Sequence, residues 1–449
     1  MASVLQFCVS QLSDLDMSGC DLLTSEEKLL PCLGNPNCRL ETLKLNGCKL
    51  TGRFLALTLQ GASPHLRELD ISDGKLQDCE GELLHQPLNQ DCKVRLISCR
   101  LKDSSSAVMA SVLQFCVSQL SDLDMSGCDL LTSEEKLLPC LGNPNCRLET
   151  LKLNGCKLTG RFLALTLQGA SPHLRELDIS DGKLQDCEGE LLHQPLNQDC
   201  KVRLISCRLK DSSSAVVASV LQFCVSQLSD LDMSGCDLLT SEEKLPSSLG
   251  NPSCRLETLK LADCKLTEES CKAVASALQS SLSLTELDLT NNDLKDSGIQ
   301  LLSAGLSSLH CKLQTLRLAD CKLTEESCKA VASALQSSLS LTELDLTNND
   351  LKDSGIQLLS AGLSSPHCKL QTLRLSGCLI THKGCSFLAS ALKSNPSYLK
   401  QLDLSYNHPG DAGVREFTDR LNDPNCKLET FRYDHGGEFR IKPGPRKCE

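Results

Sequence analysis

The chain has 449 residues, enough for two or three ordinary domains or for one long repeat array. Its 57 acidic and 46 basic residues give a formal net charge of -11, which argues against a nucleic-acid clamp built on a concentrated basic footprint. Aromatic residues make up only 3% and Trp is absent, so the core is expected to be aliphatic and mostly leucine, and a binding face built on aromatic anchors is not expected.

There are 29 cysteines. No C-x-x-C pair occurs among them, so the usual zinc spacing is missing and no metal site is expected. A secreted disulfide scaffold is normally much smaller. The two N-x-S sequences are blocked by Pro252 and Pro396. These features favour reduced thiols in the cytosol. No apolar run approaches the ~18 residues of a membrane span, so no membrane partner is expected.

In chain order, residues 1–108 and 109–216 are identical, and a third copy opens at Val217 and diverges after Lys244. The opening Met1-Ala-Ser-Val-Leu-Gln-Phe-Cys8 recurs at Met109, so it reads as an interior repeat segment and not as a signal peptide. A shorter block, 256–312, recurs at 313–369 with three changes: Glu257 becomes Gln314, Lys260 becomes Arg317 and Leu309 becomes Pro366. A looser version continues from Leu370. Self-similarity at a fixed period is the mark of a solenoid.

A smaller period runs inside each block, with the pattern L-x-x-L-x-L-x-x-[C/N]-x-L. Clear instances begin at Leu256 and Leu284. Sixteen coils follow this pattern, with strand centres from Leu15, Leu43 and Leu69 to Leu373, Leu402 and Phe431. The L-x-L alternation makes a short strand with one face inward. The return is helix-like: Cys271, Val274, Ala275 and Leu278 fall at helical spacing. Thr267 and Ser270 offer caps, and Glu268 and Glu269 suit the positive end of the helix dipole. One coil cannot bury its own leucine face, and stacking makes a continuous core. The expected fold is an α/β leucine-rich-repeat horseshoe solenoid, with parallel strands on the concave face and helices on the convex face. The array is expected over 1–436, with irregular coils in 1–255, regular coils in 256–436, and a basic Pro/Gly tail at 437–449. Returns such as Glu80–Asn89 are short and interrupted by Pro87.

The ninth pattern position follows the strand and points into the turn. Ten coils carry Cys there, including Cys48, Cys264, Cys321 and Cys378, and three carry Asn: Asn292, Asn349 and Asn407. A packed turn residue is the expected role; a redox or metal ladder is the weaker alternative.

The middle strand position alternates acid and base through all sixteen coils, from Asp16, Lys44, Asp70 and Arg95 to Asp288, Arg317, Asp345, Arg374, Asp403 and Arg432. Strands ~4.8 Å apart would flank each charge with opposite ones, so lateral ion pairing is the first expectation. Each such pair is worth only ~0.2–1 kcal/mol. A charged partner-binding surface is the functional alternative. The adjacent position leans acidic, with Glu286 and Glu343 among its members, which tilts preference toward basic protein surfaces. The residues expected to contact a protein partner are Glu286, Asp288, Arg317, Glu343, Asp345, Arg374, Asp403, Tyr406, Arg432 and Asp434.

No Walker A loop, H-E-x-x-H or G-x-S-x-G occurs. No catalytic residue and no cofactor are expected, and exact duplication itself counts against an active site. The first coil starts mid-pattern without a polar cap, which reads as a piece of something longer or as an array exposing one sheet edge. The Gly436-Gly437 pair and the basic tail read as a linker.

The alternating Cys-type and Asn-type coils resemble the ribonuclease-inhibitor class of leucine-rich repeats over nearly the whole chain. Within that class, 287–302 and Tyr406-Asn-His-Pro-Gly-Asp411 look like the repeat arrays of NOD-like receptors, in particular the expanded receptors of bony fish. Arg432-Tyr-Asp-His-Gly-Gly437 resembles the junction into a PRY-SPRY domain. The resemblance implies a cytosolic interaction array, sensing or autoinhibitory, in innate immunity, with a NACHT module upstream. Neither module lies within these residues, so ATP-driven oligomerisation is not implied. The alternatives are an inhibitor wrapping a basic ribonuclease and a non-functional duplicated fragment.

Overall fold

In the computed structural model, residues 254–433 are described apart from 422. Before them, the described stretches are 11–61, 65–77, 92–95, most of 120–163, 166, 173–185, 200–203, 206, 208–209 and 228–238. Asp434 and the 437–449 tail lie outside the described residues, as does the return at 80–89. The chain divides into two units, 1–219 and 220–449.

In each unit the short strands stack in sequence order as one parallel sheet of eight. In the second unit these are Leu228–Asp232, Thr258–Lys260, Glu286–Asp288, Thr315–Arg317, Glu343–Asp345, Thr372–Arg374, Gln401–Asp403 and Thr430–Arg432. The register is uniform: Leu287 lies beside Leu316, Leu316 beside Leu344, and Leu402 beside Phe431. A pure parallel ladder needs a crossover between every pair of strands, and the return of each coil supplies it.

From Thr258–Lys260 onward the returns of the second unit are helices: Glu268–Ser280, Lys295–Leu306, Ser327–Ser337, Lys352–Leu363, His382–Ser394 and Gly410–Leu421. Thr267 caps the first of them, accepting from the Glu269 N–H, and the Ser270 side chain completes a reciprocal capping box. Cys271, Val274, Ala275 and Leu278 are all buried on its inner stripe, as their spacing predicts. Strand leucines and helix residues together form the core: Leu287, Leu289, Ile299 and Leu302 are each at most 1% exposed. The architecture is an α/β leucine-rich-repeat solenoid.

Helices pack closely where one side chain is missing. A Cβ on Gly362 would lie 2.7 Å from both the Cα and the carbonyl oxygen of Ala332 on the preceding helix. Gly305 is in the same situation against Ala275. Consecutive helices are also tied by carboxylates. Asp353 accepts the N–H of Thr381 at 2.8 Å and its hydroxyl at 2.6 Å, so the helix of one coil caps the start of the next.

The first unit is less regular. Its described helices are Glu26–Leu33, Gly52–Gly61 and Glu134–Leu141. The first and last carry Pro31 and Pro139 at their sixth position. A proline there removes an internal hydrogen bond and clashes with the preceding turn, and both helices end two residues later. Short outer strands also pair, Lys49–Thr51 with Lys75–Gln77 and Lys157–Thr159 with Lys183–Gln185. These two small sheets were not anticipated from the pattern. No helix among the described residues is long and apolar enough to cross a membrane.

Candidate interaction face

The strand register places the alternating charges side by side: Asp288 opposite Arg317, Arg317 opposite Asp345, Asp345 opposite Arg374, and Arg374 opposite Asp403. All five side chains are half-exposed while the flanking leucines are buried. The residues expected on the open face of the sheet are therefore brought together in one file.

The ion pairs differ from the expected lateral ones. Arg317 reaches diagonally to Glu286 on the preceding strand at 2.5 Å and to Glu343 on the following strand at 3.5 Å. Arg374 reaches back to Glu343 at 2.5 Å. Glu286, Arg317, Glu343 and Arg374 thus form one zigzag chain. In the first unit Arg203 pairs with Glu176 in the same sense, at 3.1 Å. Half-burial works against the charge of Arg317, but its hydrogen bond to Glu286 and the charges of Glu286, Glu343 and Asp288 outweigh this and hold its pKa above the ordinary value.

The aspartates have another task. Asp288 accepts the backbone N–H of Thr290 at 3.0 Å, Asp345 that of Thr347 at 2.9 Å and Asp403 that of Ser405 at 2.9 Å. These are Asx turns. The short aspartate arm folds onto its own chain at the strand end, and the longer glutamate is the one that crosses to the neighbouring coil. The sequence pattern located both acids; their division of labour depends on side-chain length, which alternation alone does not encode.

Tyr406 stands in the turn after its strand, not on it. It takes the left-handed conformation, φ 58°, like Asn291 and Asn348 at the matching places. Arg432 is exposed. Tyr433 falls at the inward pattern position of the last coil, yet it is 41% exposed and stacks on Phe431 with ring centres 5.2 Å apart. Phe431 stacks in turn on the buried Phe417 at 4.6 Å.

Behind the strands runs the turn ladder. The Sγ of Cys321 donates to the Leu289 carbonyl at 3.2 Å and that of Cys378 to Leu346 at 3.1 Å. Asn292 alternates with them: its Nδ2 donates to the carbonyls of Leu261 and Leu289, each at 2.8 Å, and its Oδ1 accepts from Cys264 N–H at 3.0 Å. Burial pushes the Cys156 and Cys321 thiols up to about 12 and that of Cys264 further in the same direction. A protonated, walled-in thiol is a poor nucleophile and a poor metal ligand. These cysteines act as turn-packing donors. Among the described residues no group of three or more His, Cys, Asp or Glu is placed to hold a metal ion.

Comparison with known proteins agrees with this architecture. A family model described as "Leucine Rich repeat" matches residues 62–78, 170–186, 280–303, 337–360 and 395–417. The chain is 42% identical to NACHT, LRR and PYD domains-containing protein 12 of Mus musculus over 311 residues, which is 67% of this chain and 29% of that protein. It is 34% identical over 420 residues to the ribonuclease inhibitor of Mus musculus, covering 87% of this chain and 88% of the inhibitor, and 34% identical to that of Sus scrofa, covering 90% of each. The chain therefore spans less than a third of the first relative and nearly all of the inhibitors. It belongs to the ribonuclease-inhibitor type of leucine-rich-repeat proteins, a protein-interaction array also similar to the repeat regions of NACHT-LRR proteins.

Proposed function

We propose that this array binds a protein partner through the open face of its sheet, without a catalytic step, as the ligand-sensing or autoinhibitory arm of a cytosolic NOD-like receptor of innate immunity. The carrying observation is the Glu286–Arg317–Glu343–Arg374 chain, which holds two acids and two bases in fixed positions on rigid strands. Self-neutralised charge of this kind steers weakly at long range and selects a partner by local complementarity. Asp288, Asp345, Asp403, Tyr406, Arg432 and Asp434 complete the proposed contact set. The 42% identity to a NACHT, LRR and PYD protein supports the receptor reading.

The test has two parts. A full-length, single-molecule read of the native transcript is expected to carry NACHT-coding sequence upstream and PRY-SPRY-coding sequence downstream; a message confined to this frame overturns the receptor reading. Partner capture with the wild type and with Glu286→Arg/Glu343→Arg is expected to lose the bound protein in the variant. Equal capture by both places the contact elsewhere.

The match over 88% of a ribonuclease inhibitor favours a second reading, a wrap around a basic ribonuclease. Titration of ribonuclease activity under reducing conditions decides it: no inhibition at micromolar protein eliminates this reading.

A further inference from the structure

We propose that one edge of the second unit docks on the surface of an anionic lipid membrane. The edge is formed by five consecutive segments that lead from a helix back to a strand: 281–285, 307–314, 338–342, 364–371 and 395–400. A backbone ladder holds them side by side. The N–H groups of Gln314, Thr342, Gln371 and Lys400 donate to the carbonyls of Thr285, Gln314, Thr342 and Gln371, each at 2.7 or 2.8 Å.

Three leucines stand out of this edge: Leu282 is 53% exposed, Leu309 85% and Leu339 56%. The core does not need them. Two places after Leu282 and Leu339, Leu284 and Leu341 are buried, and so is Leu313 after Leu309. The turns hold the first two leucines outward. The buried Ser281 hydroxyl accepts the N–H of Leu284 at 3.2 Å, and that of Ser338 accepts the N–H of Leu341 at 3.3 Å. Leu282 and Leu339 therefore lie on the outside of a closed loop. Pro366 takes the place of Leu309 in the later copy and is exposed as well. Exposed apolar side chains on neighbouring segments of a rigid frame mark a contact surface.

The charge around the leucines identifies what they contact. None of the five segments contains Asp or Glu, and three of them carry a lysine, Lys312, Lys369 and Lys400. All three lysines are exposed. The acids that open the following strands, Glu286 and Glu343, are engaged on the sheet face by Arg317 and Arg374. Other carboxylates of this unit gather at the far ends of the helices, where Glu268 and Glu269 open one helix and Glu325 and Glu326 precede another. A helix of 12 residues such as Lys295–Leu306 is about 18 Å long. That is roughly twice the screening length of about 8 Å at physiological salt, so the acidic ends do not cancel the basic edge.

Exposed leucines beside unopposed lysines bind an anionic bilayer in two ways at once: the apolar groups enter the headgroup boundary and the cations attract the headgroups. An acidic protein would need a relief matched to this row of separate side chains, whereas fluid lipids adapt to it. Docking of this kind lies on the bilayer and needs no membrane-crossing helix.

Co-sedimentation of the full chain with vesicles under reducing conditions tests this. Binding is expected to phosphatidylcholine vesicles with added phosphatidylserine, to be about tenfold weaker or more without the phosphatidylserine, and to fall with added salt. Lys312→Glu/Lys369→Glu is expected to weaken it about tenfold or more. Leu282→Ser/Leu309→Pro/Leu339→Ser, which places at 309 the residue found at 366, is expected to weaken it about tenfold. All five side chains are exposed, so both variants are expected to melt like the wild type, which separates lost docking from lost folding. Lys272→Glu/Lys329→Glu makes the same charge change at exposed helix positions outside this edge and is expected to bind as the wild type does. Failure of the wild type to bind the anionic vesicles overturns the proposal. So does binding that survives either edge variant unchanged, or an equal loss in the helix variant. Two other occupants have their own signatures, and either one overturns the lipid assignment. A mass that rises with concentration in light scattering without vesicles, and no longer does so in the leucine variant, gives the edge to a second copy. Retention on immobilised polyglutamate without vesicle binding gives it to an acidic polypeptide.

Discussion

Asn349 completes a turn that belongs to the preceding coil: its Oδ1 accepts the backbone N–H of Cys321 at 3.1 Å, and that of Leu323 at 3.0 Å. Its Nδ2 donates to the carbonyls of Leu318 and Leu346, each at 2.8 Å. Asn349 is 1% exposed. Replacing it with Ala takes the partner from two buried N–H groups and from the Leu318 carbonyl, and leaves the Leu346 carbonyl with the Cys378 thiol as its donor, in a place water cannot reach. Asn349→Ala is expected to cost about 2–5 kcal/mol. Chemical denaturation reads it; a loss under about 1 kcal/mol would show that the turn is satisfied by other means.

Asp288 tests whether an acid on the sheet face matters for its charge or for its turn. The Asx turn to Thr290 needs a side-chain oxygen, not a charge. Asp288→Asn is expected to change stability by less than about 0.5 kcal/mol, whereas Asp288→Lys, which loses the acceptor, is expected to cost about 1 kcal/mol. Thermal melts of the pair decide. Equal losses in both variants would return the weight to charge pairing across the strands.

Gly362 is required by the approach of two helices. Gly362→Ala pushes a methyl into the backbone of Ala332, and neither helix has a flexible side-chain end there to yield. A loss of about 1–3 kcal/mol is expected, as in other overpacked interiors. Denaturant titration measures it, and a stabilised variant would contradict the close approach.

The buried thiols set an alkaline limit. Burial raises the folded-state pKa of Cys156, Cys321, Cys328 and Cys385 from 9.0 to about 12. The native fold therefore holds these protons more tightly than the unfolded chain does. The stability tied to them is complete below 9.0 and is lost as pH rises toward about 12. Melting temperature by calorimetry is expected to be level between about pH 7 and 8 and to fall steadily above about pH 9. Alkylation followed by mass mapping should label Cys20 and Cys426, the two half-exposed cysteines among the eighteen whose burial is described, before any buried one of that set.

The coil, its strand centre and its lateral register were legible because they rest on leucine spacing, which the chain repeats with few changes. Leu259, Leu287, Leu316 and Leu344 fall side by side as their positions require. The cap at Thr267 was legible because capping is local chemistry. The diagonal pairing of Arg317 was not, because it depends on how far each side chain reaches once the strands are set. The exposure of Tyr433, at an inward pattern position, was not legible either, because such a position buries a residue only as far as neighbouring layers cover it. Gly305 and Gly362 gave no signal, since a glycine within a helical run reads as a weak spot until the neighbouring helix is seen against it.

The alternation of charge from coil to coil also limits how such a gene can lengthen. Removing or adding a single coil would set two bases or two acids side by side along the sheet, and in the second half would put Cys turns where the Asn turns must donate. Exchange of coils in pairs preserves every neighbour. The two duplications in this chain keep that rule: the identical blocks at 1–108 and 109–216 carry four strand centres each, and those at 256–312 and 313–369 carry two each. Unequal recombination can cut this locus anywhere, but the folded product favours survival of those exchanges that add or delete an even number of coils.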